Sequence, residues 1–341
     1  MIFDVIWSRD SYKSIKNIIK EHKPDIAHIH NTFFLISPSV YYACKEEGVP
    51  IVQTLHNYRF ICPLGTLFKN GKLCHDCSEK GLLTSIKNKC GKKSVVWMAL
   101  MLLILKFHQS KNTFKRLINS YIALSNFAKQ QFIKAGFDEQ KIKVKPNFIN
   151  LDPGFSQKNE DFAVYVGRIS PEKGTEVLLK AWEKVNFMPL KLIGNGEHIG
   201  TSRNYAEKNS LNMEFLGQKS NKEVISYIQK SSFVILPSLC NENFPLTIAE
   251  AFACGKPIIA SKSGSLAEII EENKTGLLFE PGDSDDLTKK VRFLFENKNK
   301  IEEFGKNARR EYELKYTAEI NYEKLIGIYQ ETMRNYKSYS K

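Results

Sequence analysis

Residues Phe233 to Ser261 read FVILPSLCNENFPLTIAEAFACGKPIIAS, and this stretch constrains the fold more than any other. The apolar run Phe233–Leu236 has the length and composition of a buried parallel strand, and Pro237, Ser238, Asn241 and Asn243 mark the loop after it. A helix is predicted next, with Asn243 as its N-cap, Pro245 in its first turn and Gly255 closing it before a second strand, Pro257–Ala260. Such a succession belongs in an open α/β sheet. There the loop lies at the carboxyl ends of the strands, where ligands bind, and the helix start offers free N–H groups and roughly half a positive charge. Glu242 on the loop and Glu250 in the helix would then meet the hydroxyls of an anionic ligand whose phosphates take the N–H groups. Taken singly, the two read equally well as a solvated loop acid and a surface helix acid.

A second motif moves that balance. Phe162–Val166 is another short apolar strand, and it runs into Gly167-Arg168-Ile169-Ser170-Pro171-Glu172-Lys173-Gly174 before a helix with Val177, Leu178, Ala181, Trp182 and Val185 on its apolar face. Arg168 can grip phosphate oxygens in bidentate fashion, and Lys173 is a movable point charge beside it. A basic pair at a helix start opposes the dipole and is often merely solvated; a diphosphate would compensate it.

Gly-Arg-x4-Lys-Gly, followed by Glu-x7-Glu-Ala-x-Ala-x-Gly, resembles the nucleotide-sugar half of retaining glycosyltransferases of the GT-B fold, glycosyltransferase family 4. The resemblance extends to Lys23-Pro24-Asp25-Ile26-Ala27-His28-Ile29-His30-Asn31, Thr54-Leu55-His56-Asn57, Ala123-Leu124-Ser125, Lys145-Pro146-Asn147 and Thr275-Gly276-Leu277-Leu278. It implies an α/β chain of two Rossmann-like domains facing across a cleft. It further implies that Arg168 and Lys173 bind the donor diphosphate, that Glu250 holds the ribose, and that Glu242 contacts the donor sugar. Gly167, Asn243, Phe244, Pro245 and Leu246 join them in the donor site, and His56 falls where relatives place a histidine near the reacting sugar. No metal is required for catalysis in that family. The implied reaction moves a hexose-type sugar from a nucleoside diphosphate sugar, with retention, to a lipid-linked or polysaccharide acceptor.

The 341 residues, 42% of them apolar, suffice for two α/β domains with real cores. We expect an acceptor-side domain over 1–150, a nucleotide-sugar domain over 151–317 and a helix within 318–341 that crosses back to the first domain by analogy with the family. Strands are predicted near Ile26–His30, Ile51–Leu55, Tyr121–Leu124 and Ile142–Lys145, then near Leu190–Ile193, Met213–Leu216 and Leu277–Phe279, with the polar stretch Asn150–Asp161 as linker. Family members usually begin with a strand and a glycine-rich loop. Here one short strand, Phe3–Trp7, and one helix, Ser11–Lys20, precede Lys23-Pro24-Asp25, so the first domain is expected to be shortened. A noncatalytic or partner-dependent subunit at the membrane is the alternative that this front suggests.

The net charge of +13 is concentrated: between Lys80 and Phe137 there are ten Lys, Arg116 and no Asp or Glu. Within that stretch Val95–Leu105 is an unbroken apolar run flanked by Lys92, Lys93, Lys106, Lys111, Lys115 and Arg116. As a helix it spans roughly 16 Å, far short of the ~30 Å hydrocarbon core, so it does not cross a bilayer. It fits either a buried core helix or a helix resting on an anionic membrane surface, and the lysines favour the second. Nucleic acid is not expected as a partner, because Trp97 and Phe107 are not interleaved with the basic residues as stacking platforms would be. Asp4, Arg9 and Asp10 leave no room for the apolar core of a signal peptide, so the expected location is cytoplasmic, on the inner face of the cell membrane.

Cys62, Cys74, Cys77 and Cys90 form the one cluster among seven cysteines, with zinc-knuckle spacing at Cys74-x2-Cys77. A structural Zn²⁺, free thiols and a regulatory disulfide all fit these residues, with His75 and Asp76 as alternative ligands.

Overall fold

A computed structural model describes residues 2–33, 36–69, 72–90 and 95–339. The chain forms two compact units: the described residues of Met1–Lys69, Leu73–Lys145 and Tyr322–Lys341 make up the first, and Pro146–Asn321 the body of the second.

In the first unit strands β1 (Ala27–Ile29) and β2 (Ile51–Leu55) are followed by β3 (Phe68–Lys69), β4 (Lys72–Leu73), β5 (Ser120–Ala123) and β6 (Ile142–Val144). β3 and β4 pair only with each other, while β1-β2-β5-β6 form a parallel sheet in that order. The registers pair Ala27 with Ile51, Val52 with Ser120 and Tyr121 with Ile142. β2 is buried along its whole length, as a central parallel strand covered on both faces must be. Its one long polar side chain, Gln53, is fully used: Tyr41 Oη donates to Gln53 Oε1 at 2.6 Å, and Gln53 Nε2 donates to the carbonyls of His30 and Thr54.

The front of the chain differs from expectation. Phe3–Trp7, predicted as a strand, lies within and just after a helix, Ile2–Ile6. A strand there would need a neighbour for its backbone, whereas a helix closes its own hydrogen bonds and sets Val5 and Ile6 against the core. Buried His108 meets the carbonyl of Ile6 at 2.9 Å. A second helix, Arg9–His22, follows, capped by Ser8.

The basic apolar segment follows the core-helix alternative over most of its length. It forms the helix Val95–Ser110, whose Met98, Met101, Leu102, Ile104 and Leu105 are buried in the first unit's core. Val96, Leu103 and Phe107 face outward. The helix is therefore mainly a core element with a narrow exposed apolar stripe; flanking Lys92 and Lys93 lie outside the described residues.

The second unit contains β7 (Ala163–Val166), β8 (Leu190–Ile193), β9 (Met213–Gly217), β10 (Phe233–Leu236), β11 (Ile258–Ser261) and β12 (Gly276–Phe279). All pairings are parallel, in the order β12-β11-β10-β7-β8-β9. The chain builds outward from β7 in one direction, returns to its other side with β10 and continues the opposite way. That reversal between β7 and β10 is a topological switch point, the place where crossover helices leave a crevice for ligand. Between β7 and β8 the helix Thr175–Trp182 buries Trp182, whose indole Nε1 donates to Met188 O at 3.0 Å. The stretch Asn150–Asp161, expected as a linker, is held against this unit: Ser156 donates through its N–H to Cys254 O and through Oγ to Gln229 O, and Arg309 grips Asp152 through two nitrogens at 2.7 and 2.6 Å.

The final helix runs from Ala318 to Tyr339. Asn321 Nδ2 donates to Pro146 O at 2.7 Å in the second unit, and in the first Ile328 packs on Val52 and Ile122 while Thr332 Oγ1 meets Ser120 Oγ at 2.7 Å. Among the described residues no helix is long and apolar enough to cross a membrane.

If the Val95–Ser110 helix is a core element, Met101→Ala should lower unfolding free energy by about 2–5 kcal/mol, while exposed Leu103→Ala should stay within about 0.5 kcal/mol. Denaturant unfolding monitored by circular dichroism measures both, and equally small effects would place the helix outside the core.

Candidate active site

At the switch point two loops interlock. The loop after β7 turns through a short 3₁₀ segment, Pro171–Lys173, and enters the helix Thr175–Trp182 by way of Gly174. Gly174 has φ +76°, and a Cβ built there would stand 1.9 Å from Pro237 O at the end of β10. Only glycine permits that approach. The carbonyl of Glu172 then accepts from the N–H groups of Leu239 and Cys240 at 2.9 and 3.2 Å, tying the first loop to the second.

The Lys173 ammonium is thereby placed against Glu242 Oε1, which also accepts from Ser238 Oγ at 2.7 Å. Ser265 Oγ donates to the backbone carbonyl of Glu242 at 2.5 Å. Lys173 and Glu242 keep only 23% and 15% of their side-chain surface, whereas Arg168 keeps 65%, with its nearest carboxylate, Glu172, 3.8 Å away. The pair is thus enclosed, and Arg168 is the more exposed of the two cations.

The helix after β10, Leu246–Ala253, begins two residues later than expected. Its N-cap is Pro245, in extended conformation and without a side-chain cap bond, in place of Asn243. A proline at this position stiffens the entry but lacks the oxygen that would satisfy the first-turn N–H groups. Asn147 Nδ2 holds the carbonyl of Phe244 at 2.9 Å, and Leu246 is exposed. Glu250 points from this helix into a buried position, accepts from Asn221 Nδ2 at 3.2 Å, and has its carboxyl pKa raised by burial. Gly167 continues the β7 ladder, its N–H bonded to Ile193 O at 3.0 Å.

Three hydroxyls around these strand ends, on Ser170, Ser261 and Ser263, are buried without a hydrogen-bond partner. Ser265 escaped the sequence reading, and Ser238 entered it only as a loop marker, since nothing in their local pattern separates them from other polar loop residues.

His56 lies in the first unit, in a cluster that the sequence did not reveal. His30 Nδ1 and His56 Nε2 stand 2.7 Å apart, so one ring donates and the other accepts. His28 stacks beside His30 with ring centroids 4.3 Å apart, and its nitrogens meet Tyr329 Oη at 2.6 Å and Thr54 Oγ1 at 2.7 Å. A cavity of about 20 Å³ opens beside His30 and His56, with Asn31 and Asn57 in its lining. Desolvation comes first among the causes that lower all three imidazole pKa values, and the positive charge of Lys145 adds to it; His28 falls to about 4. Burial therefore favours the neutral form of each imidazole.

The structure thus joins Lys173 to Glu242 and sets Arg168 on the same loop. Glu250 stands in the following helix with its own partner, Asn221. Cys62, Cys74, Cys77 and Cys90 converge elsewhere, in the first unit.

Two family models lie almost end to end on this chain: Glycosyltransferase Family 4 matches residues 3–153 and Glycosyl transferases group 1 matches residues 150–311. An uncharacterized glycosyltransferase of Methanocaldococcus jannaschii is 33% identical over 205 residues, covering 59% of this chain and 58% of its own length. The O-antigen chain mannosyltransferase C of Escherichia coli is 27% identical over 173 residues, which are 50% of this chain and 46% of the relative. The matches therefore span less than two thirds of these relatives. Among solved structures, Anabaena HepE in complex with UDP superposes with a TM-score of 0.67 at 18% identity over 96% of this chain and 82% of HepE. Sucrose-phosphate synthase from Thermosynechococcus elongatus gives 0.72 at 16% identity over 95% and 77%. The shared architecture is the GT-B fold, with parallel sheets in two Rossmann-like domains.

Because His28 is depressed in the folded state, its unfolded form binds the extra proton between about pH 6.5 and 4, so stability is full above that window and falls as pH drops through it. We expect His28 to contribute up to about 2 kcal/mol of lost stability between pH 7 and pH 5. Denaturant titrations at both pH values should show a smaller loss for His28→Asn; an unchanged loss would remove His28 as the cause.

Proposed function

Because this chain, matched by the two models over residues 3–311, belongs to the family 4 and group 1 glycosyltransferases, we propose that it is a retaining hexosyltransferase. The sugar comes from a nucleoside diphosphate donor and goes to a lipid-linked saccharide or polysaccharide acceptor at an anionic membrane surface. The observation that carries this reading is the meeting of Lys173 and Glu242 at the β7/β10 switch point, beside an uncapped helix start.

In this reading the donor diphosphate lies against Arg168, Lys173 and the Pro245 helix end. The anomeric carbon–oxygen bond breaks toward the diphosphate while the acceptor oxygen bonds to the same carbon and its proton passes to the departing phosphate. Charge grows on the leaving group, so fixed cations and N–H dipoles lower the barrier without a protein nucleophile. Exposed Arg168 engages the diphosphate as the donor arrives. Glu242, already oriented by Ser238 and Lys173, takes a sugar hydroxyl, and Glu250 takes the ribose. His56, kept neutral by its surroundings, offers a ring nitrogen to the reacting sugar.

The Escherichia coli relative named for an O-antigen chain supports a surface-polysaccharide setting, and the outward stripe of Val96, Leu103 and Phe107 beside Lys106 and Lys111 supports contact with anionic lipid. Crystallised HepE binds UDP, which makes UDP the first base to test.

Arg168→Ala with Lys173→Ala should reduce turnover by more than ~10²-fold if charge stabilisation dominates, and unchanged turnover with the right donor would refute the assignment. Calorimetry with UDP and GDP should show binding of one of them that Glu250→Ala weakens. Failure of both nucleotides to bind would turn the reading toward a noncatalytic subunit.

A further inference from the structure

Cys62, Cys74, Cys77 and Cys90 are brought to one small cavity, which Leu64 and Phe68 help to line. Each arrives from its own short, locally closed turn. The N–H of Cys62 bonds to Tyr58 O at 2.8 Å, that of Cys74 to Leu67 O at 2.9 Å beyond the β3–β4 ladder, and that of Cys90 to Ser85 O at 3.0 Å; Cys77 sits in the helix Asp76–Lys80. None of the four is in a disulfide.

The cavity has about 10 Å³ of open space, close to the room one small particle occupies. His75 and Asp76 were the alternative ligands. Asp76 is already committed, accepting from Lys80 Nζ at 2.8 Å and from Asn88 Nδ2 at 2.7 Å, which ties the Cys74-x2-Cys77 turn to the helix Thr84–Lys87. His75 does not line the cavity, so the donor set is four sulfurs. Soft thiolates in that number select zinc in tetrahedral geometry over harder cations.

The need for a staple is visible in the same region. Its regular pieces are strands of two residues and helices of five and four, too short to hold themselves together. Among the described residues no three His, Cys, Asp or Glu side chains already stand in a coordinating array, so loading the site requires the thiols to rotate inward.

We propose that Cys62, Cys74, Cys77 and Cys90 bind one structural Zn²⁺ that pins together the short turns and helices that carry them. The site is independent of the donor site and of the proposed reaction.

The test uses the full chain purified with reductant from zinc-supplemented cells. Elemental analysis should give close to one zinc per chain, and Cys77→Ser or Cys90→Ser should abolish it. Should those variants fail to fold, Co²⁺ added to the chelated wild-type chain supplies the second readout. Thiolate-to-cobalt charge transfer and tetrahedral d–d bands are expected there, saturating at one equivalent. Less than about a tenth of an equivalent of zinc, together with no such cobalt bands, would overturn the proposal. So would intact mass showing disulfides among these four cysteines in the zinc-supplemented protein.

Discussion

The parallel pairing of β7 with β10, Ala163 beside Phe233 and Val164 beside Val234, is the constraint on which the donor half of the molecule depends. These strands are distant in sequence, and their adjacency brings together two loops that carry opposite charges. The Glu172 carbonyl and the bare Cα of Gly174 then let the loops close to van der Waals distance. Lys173 and Glu242 meet as a result. Their encounter changes the electrostatics that the sequence suggests: Lys173 is balanced by Glu242, and Arg168 has Glu172 nearby, so the ligand-free loops are close to neutral. In the proposed reading a diphosphate would exchange partners with these ion pairs, and the net gain would come from the helix start, which has no side-chain cap, and from the exposed Arg168 guanidinium.

Much of this fold was legible. Runs such as Ile51–Leu55, Leu190–Ile193, Phe233–Leu236 and Ile258–Ser261 became strands within a residue or two of prediction, because β-branched and aliphatic residues bounded by Gly, Pro and Asn leave little choice. Two apolar segments misled. Residues 3–7 have strand-like composition, yet a helix forms there, with the Ile6 carbonyl held by His108. The Val95–Leu105 run is apolar on every face, so its periodicity cannot say which side is covered; packing against Phe60, Phe114 and their neighbours decides that.

At the candidate site, the sequence singled out Arg168, Lys173, Glu242 and Glu250, and the pairing of Lys173 with Glu242 was not readable there. An ion pair between adjacent loops depends on how closely the loops pack, which rests on Gly174 and on backbone bonds with no side-chain signature. The histidine cluster was hidden for a related reason. His28 on β1 and His30 just past it are two residues apart and share a face, but only the 27-to-51 register brings His56, after β2, beside them.

Trp182 carries a practical consequence. Of the three tryptophans, Trp7 and Trp97 lie in the first unit and Trp182 in the second, fully enclosed and hydrogen-bonded to Met188 O. With Trp7 and Trp97 replaced by phenylalanine, the remaining indole emission would come from one unit alone. Its red shift on entering water would then time the opening of the donor-side lobe separately from that of its neighbour, without any added dye.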